Sequence, residues 1–216
     1  MINPMARPGD NPHSVAIVGA GCLHPMVPWG REGWEIWSMN DVGVYVADSI
    51  QCYTRWFQFH TIEYMKRHYP RGITAMEWWE TARGVPLYMD RVHPEYPDSV
   101  RFPKAEVEAL TPHGEYHASS FDWMLALAIL EGFKTVLLLD VALYGSPFMN
   151  GEPLSGRPCM EYWAGVAEGR GIGVHTGPRT GDLFRIVHTA RHVSDLQYGF
   201  DDEPGFELPE PWTDHR

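Results

Sequence analysis

The sequence predicts an α/β protein built on a Rossmann-like, doubly wound and mostly parallel sheet in a single domain. Segments of β-forming residues alternate with helical segments along the 216-residue chain. Residues 136–141 form a continuous apolar run with one acid, which is typical of a parallel strand covered on both faces. Residues 14–21 form a β-forming segment that ends in a Gly-Ala-Gly turn. A chain of this length can bury a substantial core.

The central segment of the predicted fold, residues 119–141, is expected to be a helix followed by a buried strand. Ser119 and Ser120 are favourable N-cap residues, and Asp122 lies in the first turn, where a carboxylate suits the helix dipole. The helix that follows is apolar almost all round, which predicts that it is well covered. Gly132 is expected to end it before the strand at 136–141.

The remaining elements follow from composition and periodicity. Two segments rich in proline and glycine or charge, 91–103 and 145–158, are expected to be long loops that close on a ligand. The predicted strands are Trp34–Asn40, Cys52–His60, Leu87–Asp90 and Ile172–His175, and the predicted helices are Glu63–His68, Met76–Arg83, Lys104–Leu110 and Cys159–Arg170. The domain organisation expected is a loose leader at 1–13, a nucleotide-binding domain at 14–194 and an acidic, proline-rich tail at 195–216.

The charge of the chain argues against a nucleic-acid-binding surface. The net charge is −11, and residues 195–216 carry −6 of it because they hold seven acids and one arginine. A basic stripe, the usual footprint of nucleic-acid binding, is missing from the sequence. Apolar runs fall short of a membrane span, the first residues do not form a signal peptide, and three widely spaced cysteines fit no zinc or disulfide pattern. We therefore expect a cytoplasmic protein.

The candidate functional residues meet at one edge of the predicted sheet. In doubly wound folds the ligand binds outside the carboxyl ends of the strands. Glycine amides and a helix N-terminus suit a phosphate there, hydroxyls and an Asn suit a nucleoside, a Tyr can stabilise an oxyanion, and His can transfer protons. Metal-binding carboxylate clusters and P-loop or HExxH motifs are lacking. The candidates for catalysis are His60, Tyr144 and His175, and those for nucleotide binding are Gly19, Ala20, Gly21, Asn40, Asp41, Ser119, Ser120 and Asp140.

Several of these residues have a structural explanation as well. The serine pair could act only as a helix cap, and Asn40 only as a turn residue. His60 could be a satisfied core histidine, and Asp140 is either paired with a basic residue or faces the site, since a lone buried charge is costly. His117 lies close to the serine pair but is more readily explained as structural.

The segment from Ser119 to Tyr144 resembles the core of the bacterial sialyltransferases that use CMP-sialic acid. Residues 124–136, MLALAILEGFKTV, line up with the family's helix and strand without a gap. The resemblance implies that Ser119 and Ser120 replace a Thr-Ser pair that contacts the nucleotide, and that Tyr144 holds the departing phosphate. His175 lies at about the distance of the family's catalytic His. Ala20 and Ala142 depart from the family's Asn and Asp.

The chain is also similar to other groups of proteins. The Gly-Ala-Gly turn, Asn40 and the hydroxyl-capped helix look like the archaeal pterin pyrophosphokinase group as well. Uncharacterised bacteriophage proteins look similar from the first strand through RWFQFH to the EYWAGVAEGRGI segment. These likenesses imply a Rossmann-like nucleotide-binding fold and, for a phage protein, a location in the host cytoplasm.

Three functions follow from the residues and these resemblances. The first is a glycosyltransferase-like enzyme with a CMP- or UDP-linked donor and no required metal, whose hydroxyl acceptor is a small molecule or a modified DNA base. His175 or His60 would deprotonate that acceptor. The second is a Mg²⁺-dependent pyrophosphokinase-like enzyme with Asp41 or Asp140 as metal ligands. The third is a non-enzymatic nucleotide-binding module or virion-associated adaptor. A homodimer is compatible with each of them.

Overall fold

The central sheet has seven strands, and all of its neighbouring pairs are parallel. The computed structural model describes residues 13–19, 26–68, 73–82, 84–141, 152–177, 187–188 and 191–192. The spatial order of the strands is β5-β4-β3-β2-β1-β6-β7. The strands are β1 (Ser14–Val18), β2 (Trp34–Met39), β3 (Arg55–Phe57), β4 (Leu87–Met89), β5 (Ser99–Arg101), β6 (Thr135–Leu139) and β7 (Gly173–Thr176). This confirms the predicted fold class.

The helices cover both faces of this sheet. Inward side chains of α3, α4 and α5 pack with Val15, Ile17 and Val136 on one face. Side chains of α1 and α2 pack with Ala16 and Val18 on the other face. The helices are α1 (Ile62–His68), α2 (Ile73–Thr81), α3 (Lys104–Glu108), α4 (Ser120–Glu131) and α5 (Glu152–Gly169), and short 3₁₀ turns occupy Val42–Tyr45 and Ile50–Cys52.

The chain divides into two units, residues 1–183 and 184–216. The seven-stranded sheet and all five helices belong to the first unit. In the second unit the described residues form two short antiparallel strands, β8 (Val187–His188) and β9 (Arg191–His192).

Helix α4 has the boundaries that the sequence predicts. Ser119 is its N-cap, and Gly132 follows its last residue in the left-handed conformation, with φ of 79°. The side chains of residues 124–129 are all buried, between the sheet on one side and α5 on the other. The apolar character of the whole helix surface is therefore explained by its central position in this layer.

Two segments that were predicted to be loops contain regular secondary structure. Segment 91–103 contains β5, which pairs with β4 in the register Leu87↔Ser99 and is an edge strand of the sheet. Segment 145–158 was predicted as a loop, but α5 already begins at Glu152. Pro153 suits the first turn of a helix, where its missing N–H is not needed. Pro158 lies inside the helix, at the cost of one backbone hydrogen bond.

A buried ion triad joins β2, β3 and α4 at the amino edge of the sheet. Arg55 Nε lies 2.6 Å from Glu35 Oε2, and Arg55 Nη1 lies 2.7 Å from Glu131 Oε2. The guanidinium carbon lies 4.8 Å from the ring centroid of Trp37. Burial alone would lower the pKa of Arg55, but the hydrogen bond with Glu131 and the charge of Glu35 raise it above its ordinary value. These groups lie at the sheet edge opposite the candidate site, so their role is structural.

Candidate functional site at the carboxyl edge of the sheet

The strand order places the candidate site beside β1. Strands β2 to β5 extend from one side of β1, and β6 and β7 extend from the other. The order therefore reverses between β1 and β6, and ligands of open α/β sheets bind outside the carboxyl ends of the strands at such a switch point. Helix α4 begins at the same edge, because it ends just before β6 starts at the opposite edge.

The residue after β1 must be glycine because the backbones of β1 and β6 converge there. The Gly19 N–H donates to the carbonyl of Leu139 at 2.7 Å. A Cβ at residue 19 would lie only 1.9 Å from the carbonyl oxygen of Asp140. The first glycine of the Gly-Ala-Gly turn is thus required by strand packing alone. Ala20 and Gly21 lie outside the described residues.

Asn40 and Asp140 follow β2 and β6, the two strands that flank β1, and both have left-handed backbone conformations. Their φ angles are 48° and 51°, and no other non-glycine residue in the described ranges has a positive φ. Such conformations cost about 1–3 kcal/mol and cluster at functional sites. The Asn40 N–H donates to the carbonyl of Phe57 at 3.0 Å. Its Oδ1 is buried and has no hydrogen-bond partner within the part of the chain that the structure describes.

Asp41 begins the 3₁₀ turn that follows β2. Its side chain is partly exposed and makes no capping hydrogen bond to that turn. Its carbonyl accepts from the N–H of Val44 at 3.3 Å. Asp41 therefore lies at the predicted edge, beside Asn40, and its carboxylate does not cap the turn.

A second buried amide, Gln58, was not singled out in the sequence. It follows β3, next to Asn40, and is 1% exposed. Its Nε2 donates to the carbonyl of His60 at 3.0 Å, and this bond fixes the orientation of the amide. Its Oε1 is buried and unpartnered among the described residues. Gln58 was not predicted as a site residue because it lies within the aromatic, strand-like run RWFQFH, which predicts only a strand.

The two serines at the start of α4 have different roles: Ser119 caps the helix, and Ser120 is its first residue. Ser119 Oγ donates to Asp122 Oδ2 at 3.0 Å and accepts from the Asp122 N–H at 3.4 Å. Asp122 Oδ2 also accepts from the N–H groups of Ala118, at 3.0 Å, and Ser119, at 2.8 Å. The hydroxyl of Ser120 makes no hydrogen bond within the described residues, so it is the member available to a ligand. The Asp122 carboxylate also makes this helix end less attractive to a phosphate.

Asp122 also holds His117, which the sequence analysis treated as structural. His117 Nδ1 lies 2.8 Å from Asp122 Oδ1, and the two side chains are 2% and 0% exposed. The imidazole lies nearly parallel to the indole rings of Trp123 and Trp163, with centroid distances of 3.4 and 4.8 Å. Its Nε2 is buried without a partner in the described chain. The sequence did not predict the contact between His117 and Asp122, because residue 117 precedes the helix and so has no periodic relation to Asp122.

The two histidines predicted for proton transfer are far apart. His60 lies three residues after β3, where its ring stacks on Tyr64 with a centroid distance of 4.7 Å. His175 lies in β7, an edge strand, with its side chain exposed. Four strand spacings separate β3 from β7, which corresponds to about 19 Å. The two residues therefore cannot act on the same atom. Tyr144 lies outside the described residues.

Neither a metal-ligand cluster nor a membrane-spanning helix occurs among the described residues. Within these ranges no group of three or more His, Cys, Asp or Glu side chains is arranged to hold a metal ion. Among the described helices, none combines the length and the apolar character that crossing a membrane would require.

Comparison with known proteins gives a likeness of fold. No protein-family model and no curated protein sequence matches this chain. The crystal structure of the monofunctional α-2,3-sialyltransferase Cst-I from Campylobacter jejuni matches with a TM-score of 0.51 and 10% identity, over 98% of this chain and 94% of that chain. The sialyltransferase CstII from the same organism, in complex with the substrate analogue cytidine-5′-monophosphate, matches with a TM-score of 0.48 and 12% identity, over 78% and 81%. The likeness to Cst-I, at 10% identity, is a likeness of fold, and it agrees with the Rossmann-like sheet described above.

Proposed function

We propose that this protein is a nucleotide-dependent transferase that moves a group from a nucleotide-activated donor to a hydroxyl acceptor. The observation that carries this proposal is the buried carbonyl oxygen of Asn40, beside the switch point of the sheet, which has no hydrogen-bond partner among the described residues. A buried polar atom in a native protein normally has a partner, and a bound ligand is one way to supply it. The strained backbone of Asn40 supports the same interpretation, because strain of this kind is retained at functional sites.

The donor's nucleotide would lie over the ends of β1 and β2. Gly19 offers backbone without a side chain, and Asn40 and Ser120 offer polar groups that can orient a nucleoside and its phosphate. In this proposal Tyr144 stabilises the negative charge of the departing phosphate, which is an electrostatic role that is large in a dry site. Asp41 and Asp140 flank the donor.

The fold shared with the sialyltransferase Cst-I favours a sugar nucleotide as the donor, with a CMP- or UDP-linked sugar as our first choice. For the acceptor we favour a small molecule over a modified DNA base, because the net charge of −11 repels nucleic acid. A bacteriophage origin, which would make the DNA base more relevant, rests on the sequence resemblance alone.

The first test is a thermal-shift screen of CMP, CDP, UDP, GDP, ADP, ATP and NAD, with and without Mg²⁺. A nucleotide at 100 times its dissociation constant should stabilise the protein by about 2.7 kcal/mol, or several degrees for a chain of this size. A shift with CMP or UDP that does not need Mg²⁺ is expected. A shift with ATP only in the presence of Mg²⁺ would favour the pyrophosphokinase-like function. No shift with any nucleotide would favour a non-enzymatic adaptor.

The variant Asn40→Gly tests the residue that carries the proposal. Glycine adopts the φ of 48° without strain, so this change removes the amide while keeping or raising the melting temperature. We expect the CMP or UDP shift to be lost. The control is Gln51→Ala, which removes an exposed amide from a different turn and should leave the shift intact. An undiminished shift in Asn40→Gly would contradict the role of Asn40.

A further inference from the structure

We propose that His117, oriented by Asp122, is the general base that accepts the proton of the acceptor hydroxyl. This inference rests on the proposed transferase function and identifies a base other than His60 or His175. It begins from one juxtaposition: an imidazole lies between two indole rings, one of its nitrogens contacts a buried carboxylate, and its other nitrogen is buried with no partner in the described ranges.

Asp122 determines which nitrogen of His117 carries the proton. Its carboxylate accepts two backbone N–H groups and the Ser119 hydroxyl, and its Oδ1 faces His117 Nδ1 at 2.8 Å. An ionised carboxylate can only accept hydrogen bonds, so Nδ1 carries the hydrogen. In the neutral imidazole the lone pair is then on Nε2, the nitrogen for which the described part of the chain supplies no partner.

The two tryptophans prevent the imidazole from rotating to find another partner. The ring planes of His117 and Trp123 are 11° apart, and those of His117 and Trp163 are 18° apart. Trp163 is itself fixed, because its Nε1 donates to the carbonyl of Tyr116 at 2.9 Å. Indole faces also attract cations, so the same stack stabilises the imidazolium that forms when Nε2 accepts a proton. A ring that is held in one tautomer and keeps a lone pair on its second nitrogen can serve as a general base.

A thiol near this pair, that of Cys159, responds to the charge of Asp122. Burial and the charge of Asp122 raise the pKa of the Cys159 thiol, while a hydrogen bond with Tyr116 opposes the rise. The thiol therefore stays protonated at neutral pH. Asp122 is the one anion in contact with His117 among the described residues.

The position of the pair agrees with this role. Asp122 lies in the first turn of α4, at the carboxyl edge where Ser120 is available to the donor. In the reaction the acceptor O–H bond breaks and its proton moves to His117 Nε2. The acceptor oxygen forms the new bond to the transferred group, and the bond from that group to the nucleotide phosphate breaks, leaving its electron pair on the phosphate oxygen. Asp122 is a positioning residue, since it acts only through His117.

The first arm of the test measures the tautomer and needs no substrate. In full-length protein labelled with ¹⁵N-histidine, NMR at neutral pH should show Nδ1 protonated and Nε2 unprotonated for His117. In Asp122→Asn the amide would offer its NH₂ group to Nδ1, so the tautomer should reverse. An Nε2-protonated ring in the unsubstituted protein, or an unchanged tautomer in a folded Asp122→Asn variant, would overturn the proposal.

The second arm measures release of CMP or UDP from CMP-sialic acid and UDP-glucose, with water as the acceptor. His117→Gln and Asp122→Asn should lower kcat by about 10² to 10⁴-fold, with a smaller effect on KM. The nucleotide thermal shift should persist in His117→Gln, which shows that the variant is folded and binds the donor. His113→Gln, at an exposed loop residue, is the control and should turn over normally.

The outcomes separate the two proposals. Normal turnover in His117→Gln, together with a nucleotide shift, would overturn the role of His117 and leave the transferase function standing. Neither shift nor turnover in the unsubstituted protein would overturn the transferase function, and the role of His117 with it. Loss of turnover in both variants with the shift retained, and with the tautomer reversed in Asp122→Asn, would support both.

Discussion

Replacing Arg55 with methionine should be among the most destabilising single substitutions in the sheet. The guanidinium is the shared partner of Glu35 and Glu131, and the three side chains are 6%, 14% and 17% exposed. Methionine can occupy the space over Trp37 but leaves two buried carboxylates without a cation. Removing one partner of a buried ion pair costs about 3–5 kcal/mol. For a chain of this size, that corresponds to a fall in melting temperature of about 6–20 °C.

Urea unfolding, followed by circular dichroism, measures this loss directly. At pH 7 the Arg55→Met variant should lose about 3–5 kcal/mol in the free energy of unfolding. Adding Glu35→Gln and Glu131→Gln to the variant should restore most of the stability at pH 7.

The matched control is Lys104→Met, which breaks an exposed ion pair with Glu108, 64% and 32% exposed, and should cost less than about 1 kcal/mol. Equal stability of Arg55→Met and the unsubstituted protein at pH 7 would refute the reasoning. Failure of the added Glu35→Gln and Glu131→Gln substitutions to restore stability would also refute it, because the loss would then come from packing and not from charge.

Two further predictions concern the edge of the sheet and its interior. Gly19→Ala should destabilise by about 1–3 kcal/mol in thermal unfolding, because its Cβ would meet the Asp140 carbonyl oxygen at 1.9 Å. Gly165→Ala, in α5 with no atom within 4 Å of the added Cβ, should stabilise by about 0.5–1 kcal/mol, and equal behaviour of the two would contradict the packing argument. Burial raises the pKa of Tyr88 above its ordinary value of 10.0, so the folded state retains this proton longer than the unfolded state. The free energy of unfolding should therefore decrease as the pH rises above about 10. In urea unfolding at pH 9–11, the Tyr88→Phe variant should lack this part of the decrease.

Elements whose limits are encoded locally could be predicted from the sequence. Helix α4 is an apolar run between a serine cap and a glycine stop, and both signals act within a few residues of the ends they set. Strand β5 could not be predicted in this way, because Ser-Val-Arg is three residues long and becomes a strand only by pairing with β4. The first turns of α5 were hidden by Pro153 and Pro158, which usually mark loops.

The candidate site likewise contains residues that the sequence could predict and contacts that it could not. Gly19 and Asn40 were predicted for the carboxyl edge because strand polarity alone brings the ends of β1 and β2 together. The left-handed backbone of Asn40 and Asp140 depends on the turns that follow their strands, and the sequence gives only the general tolerance of Asn and Asp for it. The contact between His117 and Asp122 depends on how the loop before α4 returns to the helix cap. Trp163, which stacks on His117, lies in α5, 46 positions after His117 in the chain.

The register between β1 and β6 has a consequence for the order of folding. Ser14 pairs with Thr135, 121 positions later in the chain. During synthesis β1 can pair with β2 early, but its other side stays unpaired until β6 has left the ribosome. Closing such a long loop is entropically costly and slows folding, and an unpaired strand edge is a site of aggregation. A nascent or truncated chain that ends before residue 139 therefore exposes β1, an interior strand of the finished sheet, as an edge.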